Sequence, residues 1–332
     1  MVDYLLRIRR GLLFLKKIFR QLFLSGCIVT DYIIFANKLK IVETMRKLFA
    51  IIMMGAFAYS AQAQQAVGTP AELNRFKNTT TVVVLENNPL LEYNLKIKET
   101  VEKHWDITKY ETVTFSTAEF EAARKDSTKS FLVKNTVYND KDKTKSKFDY
   151  LCVELGGDYE YVRQMPDIAS VPICYNGVDE ESYGYKLGLL CRFLQNHIKL
   201  TTENPKLTKK NILKHYNSQM ADIHEKTLYL VKEELNPDLN TEAKIKSLYP
   251  YKFKIVSREE VEQAIDRRDP DVVLLHKVGP EGTRKKDVRC YKAIVGASDA
   301  RLYYFAWHMI SDKAKEGMLA KDFQKLAKAK KK

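Results

Sequence analysis

The chain has little of what usually marks specialised chemistry. Thirteen glycines and nine prolines in 332 residues exclude a collagen-like or low-complexity protein. Five cysteines are too few for a disulfide scaffold of this length, and none stands in a C-x-x-C redox or zinc spacing. There is no G-x-S-x-G elbow, no penicillin-binding S-x-x-K, and no Walker lysine behind a glycine-rich turn. No apolar run reaches the roughly 20 residues that a membrane-spanning helix needs.

What is present begins with an address. Met45-Arg46-Lys47, the apolar run Leu48 to Tyr59, and Ser60-Ala61-Gln62-Ala63-Gln64 have the order of a secretory signal peptide, spanning 45–63 and cleaved after Ala63. Residues 1–44 then read as an overextended start. The rival reading is a membrane anchor over Leu22 to Ala36, which is short for a span and contains Asp31. Removing residues 1–63 takes ten Lys/Arg and three Asp/Glu from the formal +14 and leaves +7. Much of that charge lies in lysine-rich loops and in the tail 312–332, so no nucleic-acid partner is implied. Of the remaining Cys152, Cys174, Cys191 and Cys290, Cys174 and Cys191 are the first pair to test for a bridge.

The strongest architectural signal is an internal repeat. Asn88-Pro89 through Lys96-Ile97-Lys98 matches Asn236-Pro237 through Lys244-Ile245-Lys246, and Tyr110 to Val162 aligns without a gap with Tyr251 to Tyr303. In the first copy, Thr81 to Glu86 reads as a strand, followed by a helix with Leu90, Leu91, Leu95, Ile97 and Val101 along one side. Tyr110 to Phe115 alternates as a strand, and Ser116 with Glu119 forms a capping box that starts a second helix. Phe131 to Tyr138 and Phe148 to Leu155 close the copy as two strands. The second copy repeats the plan with Thr227 to Val231, a helix about two turns shorter around Ile245, Phe253 to Val256, the Ser257/Glu260 box, Val272 to Val278 and Tyr291 to Val295.

The predicted fold class is therefore α/β: two related small modules, 79–175 and 227–311, each strand-helix-strand-helix-strand-strand, with an intervening helical pair over 183–224. The tail 312–332 reads as a basic helix with Leu319, Phe323 and Leu326 on one side, a frayed solvated terminus with weak membrane contact as its alternative.

This element order, and the run of a strand into Ser-x-x-Glu and a small-residue helix (Tyr110 to Ala123, Tyr251 to Ala264), resembles the amino-terminal domains of TolB and the LpoB-like envelope lipoproteins. The resemblance covers about half of the part after the leader and implies a non-enzymatic periplasmic adaptor. No lipobox cysteine follows the leader. The ending Ala61-Gln62-Ala63-Gln64 also resembles leaders of uncharacterised exported proteins from Bacteroidota.

Candidate chemistry is thin. His215, Asp222, His224 and Glu225 lack a metal-site spacing, and nine residues at roughly 100° each place the two histidines on opposite sides of one helix. Gly156-Gly157-Asp158 reads as a turn, because its counterpart is Ala297-Ser298-Asp299. Glu119 with Glu121, and Asp179 with Glu180 and Glu181, fit helix starts better than acid-base work. No metal or cofactor is implied. The candidate partner surface is aromatic: Tyr159 and Tyr161 after the last strand of the first copy, and Tyr303, Tyr304 and Trp307 at the equivalent place in the second. The expected function is an exported envelope protein that binds or scaffolds an envelope protein or glycan. The alternative is a hydrolase of an envelope or extracellular substrate with its site between the modules.

Overall fold

The computed structural model describes residues 66–138, 145–284 and 286–331. The leader and the segment before it lie outside the described residues. A short helix α1 (Pro70–Phe76), opened by a Thr69/Glu72 capping box, precedes the first module. That module runs β1 (Thr80–Leu85), α2 (Glu92–His104), β2 (Lys109–Thr114), α3 (Thr117–Ala123), β3 (Lys129–Tyr138), β4 (Lys147–Leu155) and β5 (Asp167–Tyr175). Next come α4 (Leu187–Glu203) and α5 (Ile212–Asn217). The second module is β6 (Thr227–Val231), α6 (Glu242–Lys246), β7 (Phe253–Val256), α7 (Arg258–Asp266), β8 (Val272–Val278), β9 (Arg289–Gly296) and β10 (Leu302–Met309), and α8 (Ala320–Ala327) follows it.

Each module is one five-stranded mixed sheet, and the two have the same topology. The orders are β2-β1-β3-β4-β5 and β7-β6-β8-β9-β10. In each, the first three strands are parallel and the last two join antiparallel. Both predicted capping boxes are formed: Ser116 and Glu119, like Ser257 and Glu260, exchange backbone-to-side-chain bonds.

The repeat is not gapless in space. Leu155 pairs with Ser130, whereas Gly296 pairs with Val273; β9 thus corresponds to β4 at a separation of 141 positions, and β8 to β3 at 143. Helix α7 is two residues longer than α3, and the following hairpin takes the difference back. Because side chains alternate with period two, a two-residue shift keeps every residue on its own face of the sheet, and an ungapped alignment preserves the same facing.

Each module also has a fifth strand beyond the pattern read from sequence. β5 is buried along nearly its whole length, so it shows no alternation, and Pro172 is tolerated because β5 is an edge strand. β10 carries Tyr303, Tyr304 and Trp307, which the sequence pattern places after the last strand. In α2 the buried face is Tyr93, Asn94, Ile97, Thr100 and Val101. Leu90 and Leu95, expected inside, are 88% and 65% exposed, because the helix starts at Glu92 and Tyr93 and Ile97 set its phase. The helical pair is also shorter than the pattern implied: α5 ends at Asn217, and Met220–Glu225 is a separate 3-10 turn.

Helix α4 holds the modules together. Arg192 donates to Ser298 O and Ala297 O at 2.8 Å and to Ile265 O at 3.3 Å in the second module. Three residues on, Gln195 donates to His104 O and accepts from Asp106 N in the first. One apolar core runs through both modules, with Phe148 edge-to-face on Tyr291 at 5.1 Å. A second core lies within the second module, and the tail helix fills it: Phe323 and Leu326 are fully buried. The tail is therefore not a frayed, solvated helix, and the apolar face that lipid contact would require is packed on the sheet. All four described cysteines are free and separately buried, so Cys174 and Cys191 form no bridge.

Candidate functional site

In a doubly wound sheet, ligands are received outside the carboxyl ends of the parallel strands, where successive connections leave in opposite directions. β6 lies between β7 and β8, so the second module has such a point beside β6 and β8. β10 runs in the same direction as β8, because each is antiparallel to β9. A cleft of about 700 Å³ opens at these carboxyl ends. Its walls come from Glu233 to Pro237 after β6, Lys277 and the turn Glu281–Arg284 after β8, Ile310–Asp312 after β10, and Lys315 and Glu316 beyond.

The cleft floor is ionic and buried. Glu234 accepts at Oε1 from the Lys186 ammonium and from Tyr185 Oη at 2.8 Å, with both charged side chains excluded from water. Burial raises the Glu234 pKa, but the Lys186 and Lys277 charges outweigh it and hold the carboxyl below its usual range. Lys277 pairs with Glu316 at 2.7 Å and Glu281 at 3.4 Å. Burial works against its charge, yet these acids raise its pKa, so it stays an ammonium. Glu316 also accepts from the backbone N–H groups of Glu281 and Gly282 at 3.0 and 3.2 Å, and so fixes the turn over the cleft. The backbone at Gly279 comes so close that a Cβ there would stand 2.4 Å from Glu316 Oε1, so a larger residue would push that carboxylate aside.

Two acids at the cleft keep carboxylate oxygens without a donor. Glu234 Oε2 is buried with no hydrogen-bond partner, and exposed Glu233 takes part in none of the ion pairs of the described residues. The cations are engaged: Lys277 as above, Lys315 with Asp238 at 2.6 Å, and Arg284 toward Ser146 Oγ at 3.4 Å.

The aromatic residues named from sequence do not form one surface. Tyr303 and Tyr304 lie within β10 and are 2% and 1% exposed. Tyr303 donates to Asp299 Oδ2 and Tyr304 to Asp322 Oδ1, both at 2.7 Å, the latter beside the buried Lys292–Asp322 pair. Neither presents a ring to a partner. Tyr159 is half-buried in the loop between β4 and β5, and Arg124 pins that loop through Tyr159 O and Glu160 O. Tyr161 and Trp307 are the exposed members, 46% and 43%. Tyr161 precedes the fifth strand of its sheet and Trp307 lies within the other, so their places are not equivalent.

The remaining candidates are in structural bonds. Glu121 pairs with Arg124. Glu180 accepts from Tyr93 N at the start of α2, where Leu91 offers no side-chain cap. Asp222 pairs with Arg301 and Glu225 with Lys331, while His224 stacks on Tyr251 at 3.6 Å and bonds Leu326 O. His197 and His276 are buried, which lowers each pKa to about 4. Burial raises the Cys191 and Cys290 thiols to about 12 and about 11, far from the thiolate a nucleophile needs. Among the described residues no group of three His, Cys, Asp or Glu is placed to hold a metal ion, and no helix is long and apolar enough to cross a membrane.

The cleft was not found from sequence. A signal existed: charge stands at the carboxyl ends of the strands lining it, with Lys277 one residue before the end of β8 and Glu233-Glu234 in the turn just after β6. No family model, curated protein or solved structure matches the chain.

Proposed function

We propose that the protein is exported and acts as a binding or scaffolding component of the cell envelope, receiving its partner in the cleft at the carboxyl ends of β6, β8 and β10. The observation that carries this reading is the cleft itself: a large opening over a buried ion-pair floor whose charges fix shape. Catalysis needs a reachable nucleophile, acid or base tuned to its task, whereas Lys186, Lys277 and Glu316 are each bound to another group of the fold. The export part of the reading rests on the leader at 45–63, and the adaptor role is supported by the resemblance to TolB amino-terminal and LpoB-like domains.

Two measurements test the parts separately. Amino-terminal sequencing of the protein from its native cells is expected to start at Gln64; peptides between Val2 and Lys40 in the purified protein would overturn export. Cross-linking of the full-length protein in those cells should recover a discrete envelope partner. Ser311→Trp, which fills the cleft mouth, should lower recovery about tenfold, as loss of a central contact does, and Tyr161→Ser should leave it unchanged. Recovery indifferent to Ser311→Trp would remove the cleft from the function.

A further inference from the structure

The two modules place a lysine at the same point and a glutamate just past the same strand, and use them differently. Thr80 pairs with Lys129, and Thr227 pairs with Val272; this register sets Lys134 level with Lys277, while Glu86 follows β1 directly and Glu233 lies in the 3-10 turn Lys232–Glu234 after β6. In the first module the two residues satisfy each other, with Lys134 Nζ 3.1 Å from Glu86 Oε1. In the second, Glu316 and Glu281 have drawn Lys277 away, and Glu233 is left facing the cleft without a cation. The buried Oε2 of neighbouring Glu234 also lacks a donor.

We infer that the cleft receives a cationic nitrogen, an alkylammonium group, which takes at Glu233 and Glu234 the place that Lys134 holds beside Glu86 in the first module. The argument is one of charge and donors. The cleft wall carries five carboxylates against three cations, and the three cations are engaged within the fold. An anionic ligand would find each cation of the wall already bonded to an acid or hydroxyl of the fold and would face Glu233, whereas an ammonium brings the N–H groups that Glu233 and the Oε2 of Glu234 lack and forms charge-assisted bonds with them. The inference rests on the binding role proposed above and names the chemistry of what is bound.

Calorimetric titration of the full-length protein at low ionic strength tests this, with 1,5-diaminopentane and Nα-acetyl-lysine methylamide as probes and glutarate as the anionic control. Saturable binding of an amine is expected, about tenfold weaker in Glu233→Gln and abolished in Glu233→Lys, with no binding of glutarate. Glu233 is exposed, so neither change endangers folding, and thermal unfolding checks this. Binding of the diamine alone points to a free amine, and binding of the lysine amide to a partner's side chain; either upholds the inference. Absence of binding by both amines, affinities unchanged in both variants, or equal binding of glutarate overturns it. If the amines fail while envelope recovery still responds to Ser311→Trp, the ligand class falls and the binding role stands. Amine binding without that response gives the reverse.

Discussion

The two modules share one topology and differ in where they bury charge. At the carboxyl ends of the parallel strands, the first module has a half-exposed pair, Lys134–Glu86, with side chains 15% and 37% accessible. The second has a dry network, Lys186–Glu234 with Lys277–Glu316. At the far edge the contrast reverses. Glu154 faces Asp167 across β4 and β5, while the matched positions in β9 and β10 hold Val295 and Leu302, both buried and apolar. A shared backbone thus tolerates charge at either place, and which module carries it is a matter of local side chains.

The largest expected effect separates the two strand ends. Lys186→Met leaves Glu234 buried without its ammonium, and removing one partner of a buried pair costs about 3–5 kcal/mol. Lys134→Met breaks a pair open to solvent and should cost at most about 1 kcal/mol. Combining Lys186→Met with Glu234→Leu should recover most of the first loss, since no charge is then stranded. Urea denaturation of the three variants measures this; equal losses for the two single lysine changes would show that the burial contrast has no energetic content.

The second effect concerns the carboxylate pair. Burial and the neighbouring Asp167 raise Glu154 to about 8, and burial raises Asp167 to about 6. Both folded values lie above the ordinary carboxyl range, so the fold binds more protons than the unfolded chain. Stability from this pair is complete below about pH 4 and declines as pH rises through those values, levelling off above about 8. Glu154→Val, which installs the second module's residue, should remove much of that decline and stabilise the protein at pH 8 by about 2–4 kcal/mol, with little gain at pH 4. His197 and His276, lowered to about 4, act in the opposite direction: their contribution is present above about pH 6.5 and lost as pH falls through 4. The difference between wild type and variant, followed by thermal unfolding from pH 4 to 9, isolates the carboxyl. A difference independent of pH would mean that Glu154 is not neutral in the fold.

Local rules of sequence reached the elements whose physics is local. Val272 to Leu275 is an unbroken apolar run and opens β8; Ser257 with Glu260 is a cap wherever the helix points. What escaped depended on the partner that covers a segment. β5 is buried on both sides, with α4 and β8 packed against it, which erases the alternation that would reveal it. Tyr303 and Tyr304 look like recognition residues until Asp299 and Asp322 are found at their hydroxyls. The cleft depends on Glu234, Lys277 and Glu316, distant in sequence and brought together by strand order, and Lys186 reaches them from the turn before α4. Even the duplication, legible as a whole, concealed its two-residue shifts, since an even shift leaves facing unchanged.

The smallest effect tests the turn that differs between the copies. In the first module Gly156 N donates to Lys129 O and Gly157 N to Arg124 O, bringing the turn so near α3 that a Cβ on Gly156 would lie 2.3 Å from Asp126 O. That oxygen belongs to backbone and cannot swing away. In the second module Ala297 N makes the matching bond to Val272 O with its methyl group buried, because α7 is longer and its end is set differently. Gly156→Ala should therefore cost about 1–3 kcal/mol through overpacking, whereas Ala297→Gly should cost only about 0.5–1 kcal/mol through backbone entropy and a lost methyl contact. If denaturation midpoints move equally for the two changes, the close approach at Gly156 is relieved by a small shift of α3, and the longer α7 no longer accounts for the alanine.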